Sequence, residues 1–206
     1  TFTWPAVPAR QFLAESDRAF DPGTPTGLIP LDISGDLGTA YPATTPSLLV
    51  RYVKVHAGEQ LRTQLVASGE IYYVYSGSGE SRNGADTVAW GAGDAFCFPG
   101  GSETVHRAGG EDALLILATN EPLLAFEGAQ APAPGKARVQ ATHWPAAEIE
   151  RHFQAVWARP ITASVLPLRF VSGLSGNGRN RSAGRPGESV PPKSNDGGST
   201  PTTVVG

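Results

Sequence analysis

Two side chains in this 206-residue chain could exchange a proton, Glu70 and His106. Glu70 opens the run "EIYYVYSG", where strand alternation puts Glu70, Tyr72 and Val74 on one face and Tyr73 and Tyr75 on the other. His106 stands two residues after Thr104 in "ETVHRA" and shares its face. If both faces look into one interior, Glu70 and His106 form a carboxylate–imidazole pair suited to general acid–base work. Tyr72, Thr104 and Gln64 would then add polar groups for a ligand. Arg62, read as sharing a face with Gln64 and Val66, could pair with Glu70 or grip a substrate carboxylate bidentately. Each residue also has a plainer reading. Tyr72 suits core packing as well as a pocket wall, Arg62 could be an ordinary solvated charge, and an inward histidine often serves only as a hydrogen-bonding group.

The elements that must position these residues are short strands. The runs "SLLVRYVKVH", "LRTQLV", "EIYYVYSG", "TVAW", "DAFCFP", "ETVHRA" and "ALLILAT" recur at even spacing between Gly, Pro and Asp turns, the pattern of a sandwich or small barrel. "GSGESRNGAD" reads as a turn-rich segment with Asn83-Gly84 as a hairpin signal. Ahead of the strands, "PARQFLAESDRAF" reads as a short amphipathic helix, followed by an arm with a short strand at "GLIPLDI". Behind them, "AQAPAPGKA" reads as a linker. "WPAAEIERHFQAVW" then reads as a helix, with Pro145 in its first turn and Ile149, Phe153, Val156 and Trp157 as an apolar stripe that should pack on the barrel or on a partner subunit. The expected organisation is therefore an arm over 1–46, a barrel over 47–128, a linker and a helix packing on the barrel over 129–171, and a disordered Gly/Ser/Pro tail over 172–206.

The turn framework resembles the cupin superfamily, whose fold is a double-stranded β-helix of jelly-roll type. Gly58, Glu70 and Gly77 stand at the spacing of that family's first motif, and Gly93-Asp94 with Pro99 at the spacing of its second. The layout also resembles, more weakly, one half of the two-cupin gentisate 1,2-dioxygenase-like proteins, which open aromatic rings with ferrous iron. The resemblance implies an all-β barrel with short flanking helices, and a homodimer paired through sheet edges and arms. It also implies where a metal would sit. The two histidine positions of the first motif fall on Gln64 and Val66, and the histidine position of the second falls on Thr104. Of that set only Glu70 keeps its type. No cofactor is therefore expected. The alternative is a weak Fe, Mn, Ni or Zn site made by Gln64, Glu70 and His106, with His106 reaching the metal position through a bulge.

Composition bounds the rest. A net charge of -3 offers no footprint for nucleic acid or an anionic membrane. The single cysteine, Cys97, rules out an internal disulfide and a cysteine-rich zinc site, and suits a reducing cytoplasm. Cys97 reads as a packing residue, and His143 and His152 as surface or packing residues. No apolar run is long enough to span a membrane, and no signal peptide is visible, although the chain does not begin with Met and its first residue need not be the native start. Three functions stay open. The first is a cupin without a metal that holds a small organic ligand by Arg62, Gln64, Tyr72, Thr104 and His106 around Glu70. The second is a metal-dependent ring-cleaving oxygenase, and the third is a metal-free isomerase- or lyase-like enzyme using Glu70 and His106.

Overall fold

The computed structural model describes residues 7–157. The expected tail over 172–206, and residues 158–171 before it, lie outside them.

Strand alternation builds the molecule. The strand β4 (Gly69–Ser76) buries Glu70, Tyr72 and Val74 and exposes Ile71, Tyr73 and Tyr75, as period two requires. It sits inside a six-stranded antiparallel sheet ordered β1-β2-β9-β4-β7-β10. Its companions there are β1 (Gly27–Pro30), β2 (Leu49–Val55), β7 (Ala95–Pro99), β9 (Ala113–Thr119) and β10 (Thr142–Trp144). A four-stranded sheet ordered β3-β8-β5-β6 faces it, made of β3 (Gln60–Thr63), β5 (Ser78–Asn83), β6 (Asp86–Gly91) and β8 (Thr104–Ala108). Between the sheets lie Val53, Val55, Tyr72, Val74, Trp90, Phe96, Phe98, Leu115 and Leu117, all buried. Tyr72 stacks on Phe96 at a centroid distance of 4.8 Å, and Trp90 on the same ring at 6.5 Å, so aromatic rings fill much of the interior. The two sheets meet at Gly77, where φ is +85° and an added Cβ would lie 2.6 Å from the Asp112 carbonyl oxygen. Only glycine meets both demands.

Among the described residues four short helices flank the sheets: α1 (Leu13–Phe20), α2 (Ser34–Leu37), α3 (Glu121–Glu127) and α4 (Ala146–Trp157). α1 starts at Leu13 rather than near Pro8. Two features depart from the sequence reading. "SGESRN" is a strand, β5, paired on both sides by β6 and β8. Its polar run conceals an alternation in which Ser81 and Asn83 point inward. α3 and β10 add a helix and an edge strand that the apolar pattern did not announce. The stripe of α4, expected to pack on the barrel or on a partner subunit, has no buried residue within the described chain.

Asp94, in the turn before β7, binds this last part of the described chain. Its carboxylate accepts from the Gly91 and Ala146 amides and contacts His143 Nε2 at 3.0 Å, so one side chain joins the β6–β7 turn, β10 and the start of α4. On the other side, the amino-terminal arm is clasped to the barrel. Lys54 Nζ, buried under the arm, donates to the Asp21 carbonyl. The His56 ring lies 2.9 Å from Asp112 through Nδ1 and 2.9 Å from the Thr24 carbonyl through Nε2. Both partners are acceptors, so the clasp is complete only when both ring nitrogens carry protons.

The hydrogen bond to Asp112 accordingly raises the His56 pKa above 6.5, and the Ala57 amide together with His56 lowers that of Asp112. A raised histidine pKa gives stability that is fully present below about pH 6.5 and is lost as pH rises through the folded-state value. Thermal melts across pH 6 to pH 9 test this. We expect the wild-type midpoint to fall over that range relative to a His56→Asn variant. Parallel curves for the two proteins would contradict the clasp.

Candidate functional site

At the centre of the barrel the structure gathers Glu70, Tyr72, Thr104 and His106, each with no exposed surface. Glu70 and Tyr72 come from the inward face of β4 and Thr104 and His106 from the inward face of β8. β5 supplies two residues that sequence reasoning missed, Ser81 and Asn83, and β6 supplies Trp90. A small polar side chain on an inward strand face carries no hydrophobic signal. Only the period-two placement of Ser81 and Asn83 before the Asn83-Gly84 hairpin could have pointed to them.

These residues form one chain of hydrogen bonds. Trp90 Nε1 donates to Ser81 Oγ at 2.8 Å, and Ser81 Oγ lies 2.6 Å from His106 Nδ1. His106 Nε2 lies 3.2 Å from the Tyr72 hydroxyl, which donates to Glu70 Oε2 at 2.7 Å. Thr104 donates to the same oxygen at 2.7 Å and accepts from Asn83 Nδ2 at 2.8 Å. The donor and acceptor inventory fixes the direction when Glu70 is ionised. The Tyr72 proton is committed to Glu70, so Tyr72 can only accept from His106, which must carry its proton on Nε2 and accept from Ser81 on Nδ1.

Burial sets the charges. It lowers the His106 pKa from 6.5 to about 4, which keeps the ring neutral near pH 7. It raises that of Glu70, an effect that the Tyr72 and Thr104 hydroxyls only partly offset. It also raises that of Tyr72, with the Glu70 charge adding to the shift, so the phenol stays a donor. Two buried atoms have no hydrogen-bond partner among the described residues, Glu70 Oε1 and Thr63 Oγ1. A buried acceptor left unpaired costs on the order of 1–3 kcal/mol.

The structure corrects the expected face of β3. Thr63 pairs with Thr104 and Leu61 with His106. Directly opposed residues share a face, so Thr63 and Leu61 point inward while Arg62 and Gln64 point out. Arg62 is exposed and bonds Glu103 at 2.9 Å, far from the role of partner to Glu70. β3 ends at Thr63, and Gln64 and Val66 instead line an outer cleft of about 410 Å³ under the proline-rich segment 130–134. That segment lies so close that a Cβ on Gly101 would meet the Pro132 carbonyl oxygen at 1.8 Å.

The expected weak metal set therefore does not assemble. Gln64 is outside the barrel, and both His106 nitrogens are engaged by Ser81 and Tyr72. Glu70 remains as one carboxylate among hydroxyls, which is a poor donor set for Fe, Mn, Ni or Zn. Among the described residues no three His, Cys, Asp or Glu side chains are grouped to hold an ion.

A neutral, buried His106 makes a spectroscopic prediction. Its ¹⁵N shifts at pH 7 should report the Nε2–H tautomer and stay unchanged down to about pH 5. A His106 titration between pH 6 and pH 7 would contradict the network. Ser81→Ala strands both His106 Nδ1 and Trp90 Nε1, and should cost about 1–3 kcal/mol in urea unfolding.

No family profile matches the chain. A 5-aminosalicylate 1,2-dioxygenase from Comamonas sp is 31% identical over 81 residues, which is 39% of this chain and 22% of that protein. Among solved structures, the salicylate 1,2-dioxygenase of Pseudaminobacter salicylatoxidans is similar at 17% identity and a TM-score of 0.42, covering 56% of this chain and 32% of that one. The protein Ylba from E. coli is similar at 21% identity and a TM-score of 0.41, covering 59% of this chain and 44% of that one. This chain thus spans about a fifth of the curated relative and a third to under a half of these two structures. Its two facing antiparallel sheets, with the turn glycines and Pro99 in their expected places, make it an all-β protein with a jelly-roll-type double-stranded barrel.

Proposed function

We propose that this cupin-type domain works without a metal and holds a small organic hydrogen-bond donor at the centre of its barrel. The observation that carries this reading is Glu70 Oε1, a fully buried carboxylate oxygen left without a partner, with Thr63 Oγ1 as a second unpartnered group on the inward face of β3. Tyr72 and Thr104 hold the other carboxylate oxygen, and Ser81 fixes the His106 ring behind Tyr72. The ligand is small, because Tyr72, Phe96 and Phe98 occupy the rest of the interior. It enters only when a covering segment moves, since Glu70 and its three neighbours are closed to solvent. The single, buried Cys97 suits a reducing cytoplasm. No helix among the described residues is long and apolar enough to cross a membrane.

A second reading has one observation in its favour. The path Ser81–His106–Tyr72–Glu70 is continuous, and it can reverse if Glu70 takes a proton, with His106 then protonated on Nδ1. That is a proton relay, and it supports metal-free acid–base chemistry with Glu70 as the group that meets the substrate. The ring-cleaving oxygenase reading rests on the partial likeness to the 5-aminosalicylate enzyme, and the donor set around Glu70 weighs against it.

Native mass spectrometry and metal analysis of protein purified without chelator separate the readings. We expect well under one equivalent of Fe, Mn, Ni or Zn, and a small organic adduct that Glu70→Ala abolishes. Stoichiometric metal that disappears in His106→Ala would overturn the metal-free reading. If Glu70→Gln keeps the adduct but stops its turnover, the acid–base reading is the correct one.

A further inference from the structure

Two apolar surfaces are left uncovered by the described residues. The first is the outer face of the six-stranded sheet beyond its β1–β2 end, which α1 covers with Ala19 packed against Ile29, Leu114 and Tyr52 and with Phe20 against Tyr75. Strand register places Tyr52, Ile116, Tyr73, Ala95 and Trp144 in one row across β2, β9, β4, β7 and β10, with Val50, Ala118, Ile71 and Cys97 in the next. Ile71 is 59% exposed, Tyr73 45% and Trp144 40%. At one end the face deepens into a cavity of about 390 Å³ lined by Leu48, Ile71, Cys97, Ala118, Val139 and Trp144. The second surface is the stripe of α4, where Phe153 is 58% exposed, Val156 66% and Trp157 80%. The polar side of that helix is occupied with itself, through Glu148–Arg151 and Glu150–Gln154. α4 leaves the sheet at its β10 edge, held there by Asp94, and none of its residues is buried.

We infer that α4 of one copy lies across the outer sheet face of a second copy, and that the two copies form a twofold dimer. Three quantities support that occupant. The twelve residues of α4 make a rod of about 18 Å, long enough to span the open face of the four strands from β9 to β10, which is about 14 Å wide. The exposed parts of Leu48, Ile71, Tyr73, Tyr75 and Trp144 with those of Phe153, Val156 and Trp157 amount to roughly 900 Å² per copy, close to the ~800 Å² that each partner buries in a standard interface. Every copy carries both surfaces, so a twofold axis covers all four at once and leaves none to propagate a filament. The cavity beside Trp144 gives an aromatic side chain of the second copy a pocket to fill, the arrangement of an interface anchor. The pairing runs face to helix, unlike the edge-to-edge pairing that the sequence resemblance implies.

Sedimentation velocity of the full chain across micromolar concentrations tests the inference, with Tyr73→Arg altering the sheet face and Phe153→Arg altering the helix. Both side chains are exposed, so far-UV circular dichroism should stay unchanged. The wild type should be a dimer, and each variant should weaken it by about tenfold or more. Ile71→Ser and Trp157→Ser, which are milder, should move the equilibrium in the same direction. A monomeric wild type would overturn the proposal, as would a dimer indifferent to changes on either surface.

Discussion

A carboxylate placed at the centre of a β-barrel constrains everything around it. Glu70 has no exposed surface, and taking its charge out of water is expensive unless donors replace the water. Tyr72 and Thr104 replace it at one oxygen. Tyr72 can do so only because His106 donates to it, and His106 keeps that orientation only because Ser81, held by Trp90, occupies its other nitrogen. Thr104 is steadied in turn by Asn83. The polar residues on the inward face of the four-stranded sheet thus exist to serve one side chain of the opposite sheet.

The division of labour between the sheets follows from this. The six-stranded sheet contributes Val53, Tyr72, Phe96, Phe98, Leu115 and Leu117, which supply the apolar bulk of the core. The smaller sheet brings the short polar groups, and its β5 has almost no apolar residue to hold it in place. It is held by pairing on both edges and by the bonds of Ser81 and Asn83. The same arrangement also engages the imidazole of His106. A neutral imidazole offers one lone pair, and in this arrangement His106 has already given it to Ser81.

Much of the fold was legible in the chain. The alternation in "EIYYVYSG" places Glu70 and Tyr72 on the buried face, and the Gly93-Asp94 turn and Pro99 bound β7 as their chemistry suggests. Thr104 and His106 share a buried face for the same reason. The misses have definite causes. β5 was read as a turn because its inward residues are polar, and burial of serine and asparagine leaves no hydrophobic trace. Gln64 was placed inside because motif spacing counts residues without knowing where a strand ends, while Arg62 was left open between the pocket and solvent. β3 stops at Thr63, and its register against β8, which no local pattern encodes, decides which side chains turn inward. α3 carried signals of its own, Pro122 near its start and Gly128 after its end, within a stretch that reads equally as an extended exit from the barrel.

The account stands on the state of one atom, Glu70 Oε1. A high-resolution crystal structure of the protein as purified, with anomalous data collected at transition-metal edges, observes it directly. The account predicts a small non-metal donor within hydrogen-bonding distance of Glu70 Oε1, about 2.7–3.2 Å away, and no anomalous peak in the barrel. A metal peak bonded to Glu70 and His106, or a Glu70 rotated so that both oxygens are satisfied by protein groups, would contradict it.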